Sequence, residues 1–140
     1  MLYLPIRNEV TTYCFMNHFW EKEKKTFLPN IRDNTLFPSL YFHDSQFVAG
    51  AFNTLQPRDT DDIEKEDYPP LDIIILPCVG TDLNKNRLGY GKGYYDQFLV
   101  HYPQALKIGI CYDFQIIENL PTIATDIKLD VIVSNQRIIS

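Results

Sequence analysis

The stretch Arg87-Leu-Gly-Tyr-Gly-Lys-Gly-Tyr-Tyr-Asp96 concentrates more potential chemistry than any other part of this 140-residue chain. Gly89, Gly91 and Gly93 alternate with Tyr90 and Lys92, and Arg87 and Leu88 precede them. Glycines let backbone N–H groups turn inward and approach a ligand without a Cβ in the way. A helix that starts directly afterwards adds unpaired N–H groups and the positive end of its dipole. With Arg87 and Lys92 alongside, residues 87–95 are expected to bind a polyphosphate, with Lys92 stabilising a transferring group. No Ser or Thr follows the lysine, so this is not a Walker A loop. The third glycine comes two positions after the second, so it is not the dinucleotide fingerprint either. The competing reading is a glycine-rich turn with a purely structural task.

The whole string is similar to the signature of the 5-formyltetrahydrofolate cyclo-ligase family, also called methenyltetrahydrofolate synthetase. Upstream, Asp72-Ile-Ile-Ile-Leu-Pro77 and Val79-Gly-Thr-Asp82 match the strand and loop that lead into that signature. Tyr3-Leu-Pro-Ile-Arg-Asn-Glu-Val-Thr11 resembles the family's first-strand exit, and Thr125-Asp-Ile-Lys-Leu-Asp130 its C-terminal acidic motif. The resemblance spans nearly the whole chain in the expected order. It implies conversion of 5-formyltetrahydrofolate to 5,10-methenyltetrahydrofolate, with ATP becoming ADP and phosphate and with Mg²⁺ as cofactor. Lys92 and Arg87 then take the catalytic phosphate contacts. Arg87, Leu88, Gly89, Tyr90, Gly91, Lys92, Gly93, Tyr94 and Tyr95 hold the nucleotide. Leu4, Glu9 and Tyr94 meet the folate, and Asp96 and Asp126 meet the metal.

Several of these residues also have a plainer reading. Asp96 fits a helix-start carboxylate, and Asp126 a solvated loop charge beside Lys128. Glu9 fits a helix cap partner for Thr11 and Thr12. Helical spacing turns Tyr95 toward the core, and Asp130 reads as a strand-start charge. His18, His43 and His101 have no evident chemical partners.

The resemblance carries one departure. Family members have an N-terminal helix before the first strand, with a Lys and an Arg that reach the ATP phosphates, and this sequence starts inside that strand. A non-catalytic nucleotide- or folate-binding module is therefore the alternative function. The uncovered first strand is expected to leave an apolar patch beside Leu2 and Phe19, and with it a tendency to self-associate.

Composition bounds the remaining possibilities. Apolar residues make up 45%, charged residues 22% and aromatics 14%, ordinary for one globular domain over residues 1–140. A formal net charge of −5 argues against general nucleic-acid binding. No apolar run approaches a membrane span. Three scattered cysteines without a CxxC pair support neither a disulfide framework nor a zinc site, and fit a reducing cytoplasm.

These residues must be positioned by alternating strands and helices. Residues 2–6 read as a strand. Phe15, Met16, Phe19 and Trp20 share one helix face, and residues 26–29 form a short strand. Residues 40–43 and 47–52 are expected to pair around Asp44, followed by an acidic connector over 55–70. Residues 71–76 have the apolar run of a parallel strand buried on both faces. Tyr95, Phe98, Leu99 and Tyr102 define a helix over 94–101, stopped by Pro103. Residues 105–111 and 131–133 complete the strands. The expected fold is α/β, a single Rossmann-like three-layer domain with a mostly parallel sheet, ligands binding beyond the carboxyl ends of its strands.

Overall fold

The structure, a computed structural model, describes residues 1–50, 54–58 and 68–140. Its centre is β5 (Ile73–Pro77), where alternate side chains enter opposite cores. Ile74 and Leu76 pack with Phe98, Leu99 and Tyr102 on the side of α2 (Tyr94–Leu99). Ile75 packs with Leu2, Leu28 and Met16, the last from α1 (Tyr13–Glu21). One helix therefore covers each face of this strand.

Three strands extend the sheet from β5. It pairs in parallel with β8 (Leu106–Ile110), and β8 pairs in parallel with β10 (Val131–Val133). An antiparallel edge strand, β11 (Ile138–Ile139), ends the order. On the other side, Met1 N donates to Ile73 O at 2.6 Å and Ile75 N donates to Met1 O at 2.9 Å, the bonding of a parallel neighbour. Leu2 N then reaches Phe27 O at 2.9 Å, in β1 (Thr26–Arg32). The first residues thus join the parallel sheet to the next strand.

That junction overturns the expected apolar patch at Leu2. Leu2 and Tyr3 are 1% and 2% exposed, because α1 lies over them through Met16. Phe19 is half-buried. Trp20, expected on the same buried stripe, faces outward beside His43, with ring centroids 5.7 Å apart.

The sheet is also less parallel than expected. β1 forms an antiparallel hairpin with β2 (Thr35–Tyr41), in register from Thr26↔Tyr41 to Arg32↔Thr35. The turn is Asp33–Asn34, with φ of 46° and 60°. Two consecutive left-handed residues make the hairpin turn whose twist matches that of the strands, and Asp and Asn tolerate it well. Among the described residues, 40–43 do not pair with 47–50 as expected; Leu40 and Tyr41 pair with β1. β3 (Phe47–Ala49) pairs instead with β4 (Leu55–Pro57), and the expected strand positions 51–52 lie outside the described residues. So does 59–67 of the acidic connector.

A third small sheet contains the hairpin that links β5 to α2 and a strand from beyond β8. β6 (Gly80–Asp82) and β7 (Arg87–Leu88) are antiparallel, and β9 (Ile116–Ile117) runs parallel to β6. The glycine loop therefore leaves a hairpin rather than leaving the 71–76 strand directly. Among the described residues, no helix is long and apolar enough to cross a membrane. Cys14, Cys78 and Cys111 are free thiols.

Gly109 permits the crossing of β8 beneath the loop that follows residue 125. A Cβ there would meet Leu129 and lie 2.9 Å from the Cys78 Sγ. Gly109→Ala is expected to cost about 1–3 kcal/mol of stability by overpacking. Urea unfolding, with a lower midpoint and an unchanged slope, is the check.

Candidate active site

Asp82 builds the platform for the glycine loop. It is fully buried, and its Oδ1 accepts from Asn84 N at 3.0 Å and Asn86 N at 2.9 Å. Its Oδ2 accepts from Asn86 Nδ2 at 2.8 Å and Leu120 N at 3.0 Å. Burial pushes this carboxyl up, but the four donors outweigh it and hold the pKa below the ordinary carboxylate range. The hairpin turn 83–85 is thereby fixed, with Lys85 left-handed at φ 66°.

From this hairpin the chain enters residues 89–93. Gly91 and Gly93 have φ of 80° and 69°, which disfavour any residue with a Cβ. A Cβ on Gly91 would meet nothing within 4 Å, so the backbone there faces open space where a ligand can approach. Gly89 differs. A Cβ there would lie 2.8 Å from the Arg87 Nη1, so the glycine makes room for the arginine. Lys92 stands exposed at the tip.

Arg87 does not project from the loop. Its side chain is 4% exposed, and its Nη2 lies 3.2 Å from the Asp96 Oδ2. The guanidinium carbon is 5.2 Å from the centroid of the Tyr95 ring. The Nε is buried without a partner. Arg87 thus braces the start of α2 from inside. Burial raises the Tyr95 phenol well above its ordinary pKa, and Arg87 partly opposes this.

The turn after the first segment meets this loop. Glu9 Oε2 accepts from Ile6 N at 2.9 Å, and the Arg7 guanidinium carbon sits 4.9 Å from the Tyr90 ring centroid. Glu9 therefore closes its own turn rather than capping α1, whose N-cap Thr12 donates to Tyr3 O. Burial raises the Glu9 pKa, opposed by the Ile6 N–H, Tyr90 and Arg7. A third segment arrives from the end of β8. Gln115 Nε2 donates to Cys78 O and Val79 O, both at 2.9 Å, and so ties the carboxyl ends of β5 and β8 together.

Residues 1–135 match the 5-formyltetrahydrofolate cyclo-ligase family. The chain belongs to that family. It is 33% identical over 138 residues to the 5-formyltetrahydrofolate cyclo-ligase of Mycoplasma pneumoniae, covering 96% of this chain and 71% of the relative. The enzyme of the same name from Escherichia coli K12 is 29% identical over 147 residues, with coverages of 98% and 78%. The NMR structure of Aquifex aeolicus 5,10-methenyltetrahydrofolate synthetase superposes with a TM-score of 0.77 at 34% identity, over 98% of this chain and 68% of that one. These relatives are named as ligases, so the chain is a member of an enzyme family.

Within this cyclo-ligase fold, the glycine loop, Glu9 and Tyr95 gather on one side. Tyr94 does not join them. Its hydroxyl donates to Asn34 Oδ1 at 3.1 Å in the β1–β2 turn, and it lines a small cavity with Thr35, Tyr68 and His101. Leu4 is half-buried against the Leu2 cluster. Asp96 Oδ1 accepts from Ile127 N at 3.3 Å, which brings the Asp126 segment against the start of α2. Asp126 Oδ2 accepts from Ile123 N at 2.8 Å. Asp130 has the structural role its position implied, accepting from Lys107 N at 2.7 Å.

Among the described residues, no group of three or more His, Cys, Asp or Glu side chains gathers to hold a metal. Asp96 and Asp126 still offer hard carboxylate oxygens on adjoining segments. That donor set fits Mg²⁺, which commonly uses one or two carboxylates and completes its shell with phosphate and water. The buried cysteines are poor nucleophile candidates. Burial pushes the Cys78 thiol up to about 12 and the Cys111 thiol to about 11, so both stay protonated at neutral pH.

Asp82, Gln115 and the Arg7–Tyr90 contact were missed by the sequence reading. Asp82-Leu-Asn-Lys-Asn86 is a dense run of turn-forming side chains, and its spacing is the signal that points to a side-chain-capped hairpin. Neither Gln115 nor the Arg7–Tyr90 contact leaves a comparable local signal.

Proposed function

We propose that this protein uses ATP to convert 5-formyltetrahydrofolate into 5,10-methenyltetrahydrofolate, releasing ADP and phosphate. The observation that carries this reading is the meeting of two segments: the open, lysine-bearing glycine loop and the turn that holds a half-buried glutamate. A phosphate-binding backbone and a carboxylate acceptor for folate N–H groups then face one space. The family match supports the choice of folate.

The formyl oxygen is a poor leaving group. It attacks the γ-phosphorus of ATP and displaces ADP, which gives an iminium phosphate on N5. The folate N10 then attacks the activated carbon and loses its proton, and the C–O bond breaks to release phosphate, which carries that proton away. The protein contributes positioning and charge stabilisation. The backbone of residues 89–93 orients the phosphates, and Lys92 neutralises charge on the transferred group. Glu9 accepts from substrate N–H groups, while Leu4 contributes apolar contact. Arg87 acts from beneath by holding Asp96 and Tyr95 in place. Mg²⁺, held by Asp96 and Asp126, would offset phosphate charge. Tyr94, oriented toward the hairpin, is the weakest of the expected substrate contacts.

Absorbance of the methenyl product tests this reading. Adding ATP and 5-formyltetrahydrofolate is expected to produce it, with one ATP consumed per turnover and no product without ATP. Calorimetric binding of both ligands without turnover would instead identify a non-catalytic module.

A further inference from the structure

The segment after β8 holds an aromatic ring out into solvent on a fixed frame. Phe114 is 83% exposed. Its ring stacks on Tyr112, with centroids 5.7 Å and planes 4° apart, which leaves its other face open. The 3₁₀ turn that carries it, Asp113–Gln115, is nonetheless tied on both flanks. Tyr112 N donates to Gln115 Oε1 at 2.7 Å, and Gln115 N to Tyr112 O at 2.9 Å. Asp113 N donates to Asn135 Oδ1 at 2.8 Å, while Asp113 Oδ1 accepts from Ser134 Oγ at 2.9 Å and Arg137 Nε at 2.8 Å. Scattered exposed apolar side chains are ordinary on a protein surface. This one differs in being held rigidly at the mouth of the site.

Val79 fixes where that mouth is. Its N–H donates to Leu88 O at 2.9 Å, just before the glycine loop, and its carbonyl accepts from Gln115 Nε2 at 2.9 Å. The start of the loop and the Phe114 turn therefore flank Val79, two strand spacings or about 10 Å apart. The turn of Arg7 and Glu9 lies on the loop's other side. Met1 bonds one edge of β5 and β8 the opposite edge, so the segments that follow them leave on opposite sides. Arg7 then meets Tyr90 of the loop. The phosphate loop thus stands between Glu9 and Phe114.

We propose that the open face of Phe114, backed by Tyr112, is the stacking platform for the adenine ring of ATP. The proposal deepens the reading above and rests on it for the use of ATP and for the role of Glu9. The formyl group must meet the γ-phosphate, so folate and adenine lie at opposite ends of the triphosphate. Glu9 marks the folate end, which leaves the Phe114 side for the base. The span from Phe114 to the loop suits a ribose and the first phosphates. A flat base stacks well on an aromatic face, and a ring already held in place loses little freedom when it does so.

Titration calorimetry of the full chain with Mg²⁺, using ATP, inorganic triphosphate and 5-formyltetrahydrofolate in turn, tests this. Wild type is expected to bind ATP more tightly than triphosphate. Phe114→Ala is expected to weaken ATP binding about tenfold, the loss of one base–aromatic stack. Triphosphate and folate binding should stay within about twofold, and Phe114→Trp should restore the affinity for ATP. The side chain is exposed, so the alanine variant should keep the thermal midpoint of wild type. Unchanged ATP affinity in Phe114→Ala, or a wild type with no preference for ATP over triphosphate, would overturn the platform. Equal losses for ATP and triphosphate would overturn the base contact, since the ring would then only shape the loop. A loss confined to 5-formyltetrahydrofolate would overturn the adenine assignment and give the ring to the folate. The expected pattern in a protein that forms no methenyl product would uphold the adenine platform and remove the folate reading instead.

Discussion

Lys92→Ala is expected to lower turnover by about 10²–10³-fold, the loss seen when one preorganised charge-stabilising donor is removed from a transition state. That corresponds to roughly 3–4 kcal/mol of barrier. The lysine is exposed on a loop whose backbone conformation is set by Gly91 and Gly93, so the thermal midpoint should hardly move. The loss should appear chiefly in kcat, because the charge being stabilised grows during phosphoryl transfer. His101→Ala is the control. His101 packs edge-on against Tyr68, with centroids 5.1 Å apart, on the hairpin side of α2. Steady-state rates should differ widely between the two variants, and equal losses would place the phosphate grip elsewhere.

Asp82→Ala is expected to be the most destabilising single change among the site residues, at about 3 kcal/mol near pH 7. It leaves Asn84 N, Asn86 N and Leu120 N without the acceptor that now satisfies them. The pH dependence has a definite sign. The folded pKa of Asp82 is lowered, so its stabilising contribution is complete above the unfolded value of about 4. It is lost as pH falls through the folded value. The stability gap between wild type and Asp82→Ala should therefore be constant at neutral pH and narrow below about pH 4. Denaturant unfolding at pH 7 and pH 3 measures it. A gap that widens on acidification would mean that Asp82 does not act as a hydrogen-bonded carboxylate.

Local pattern made some of this legible. The apolar run at 73–76 and the spacing of Phe98, Leu99 and Tyr102 carry strand and helix directly, because burial on two faces or one leaves a period in sequence. The antiparallel content was legible only in part. Asp33–Asn34 is a hairpin turn signal, but it lies between short runs broken by Pro29 and Pro38 and is easily passed over. The direction of Arg87 was hidden. A guanidinium in a glycine-rich loop has the same sequence whether it points at a phosphate or inward. The outcome depends on the space left by Gly89 and on Asp96 waiting beneath. The separation of Tyr94 from Tyr95 follows from consecutive helix positions pointing about 100° apart. Which of them meets the site depends on where the β1–β2 turn lies.

The central claim is that the formyl oxygen is phosphorylated and leaves with the phosphate. Single-turnover reaction of ATP with 5-formyltetrahydrofolate carrying ¹⁸O in its formyl group tests it directly. Mass analysis of the released inorganic phosphate should find the ¹⁸O there, one atom per methenyl product formed. Unlabelled phosphate, with the ¹⁸O recovered in water, would contradict the account.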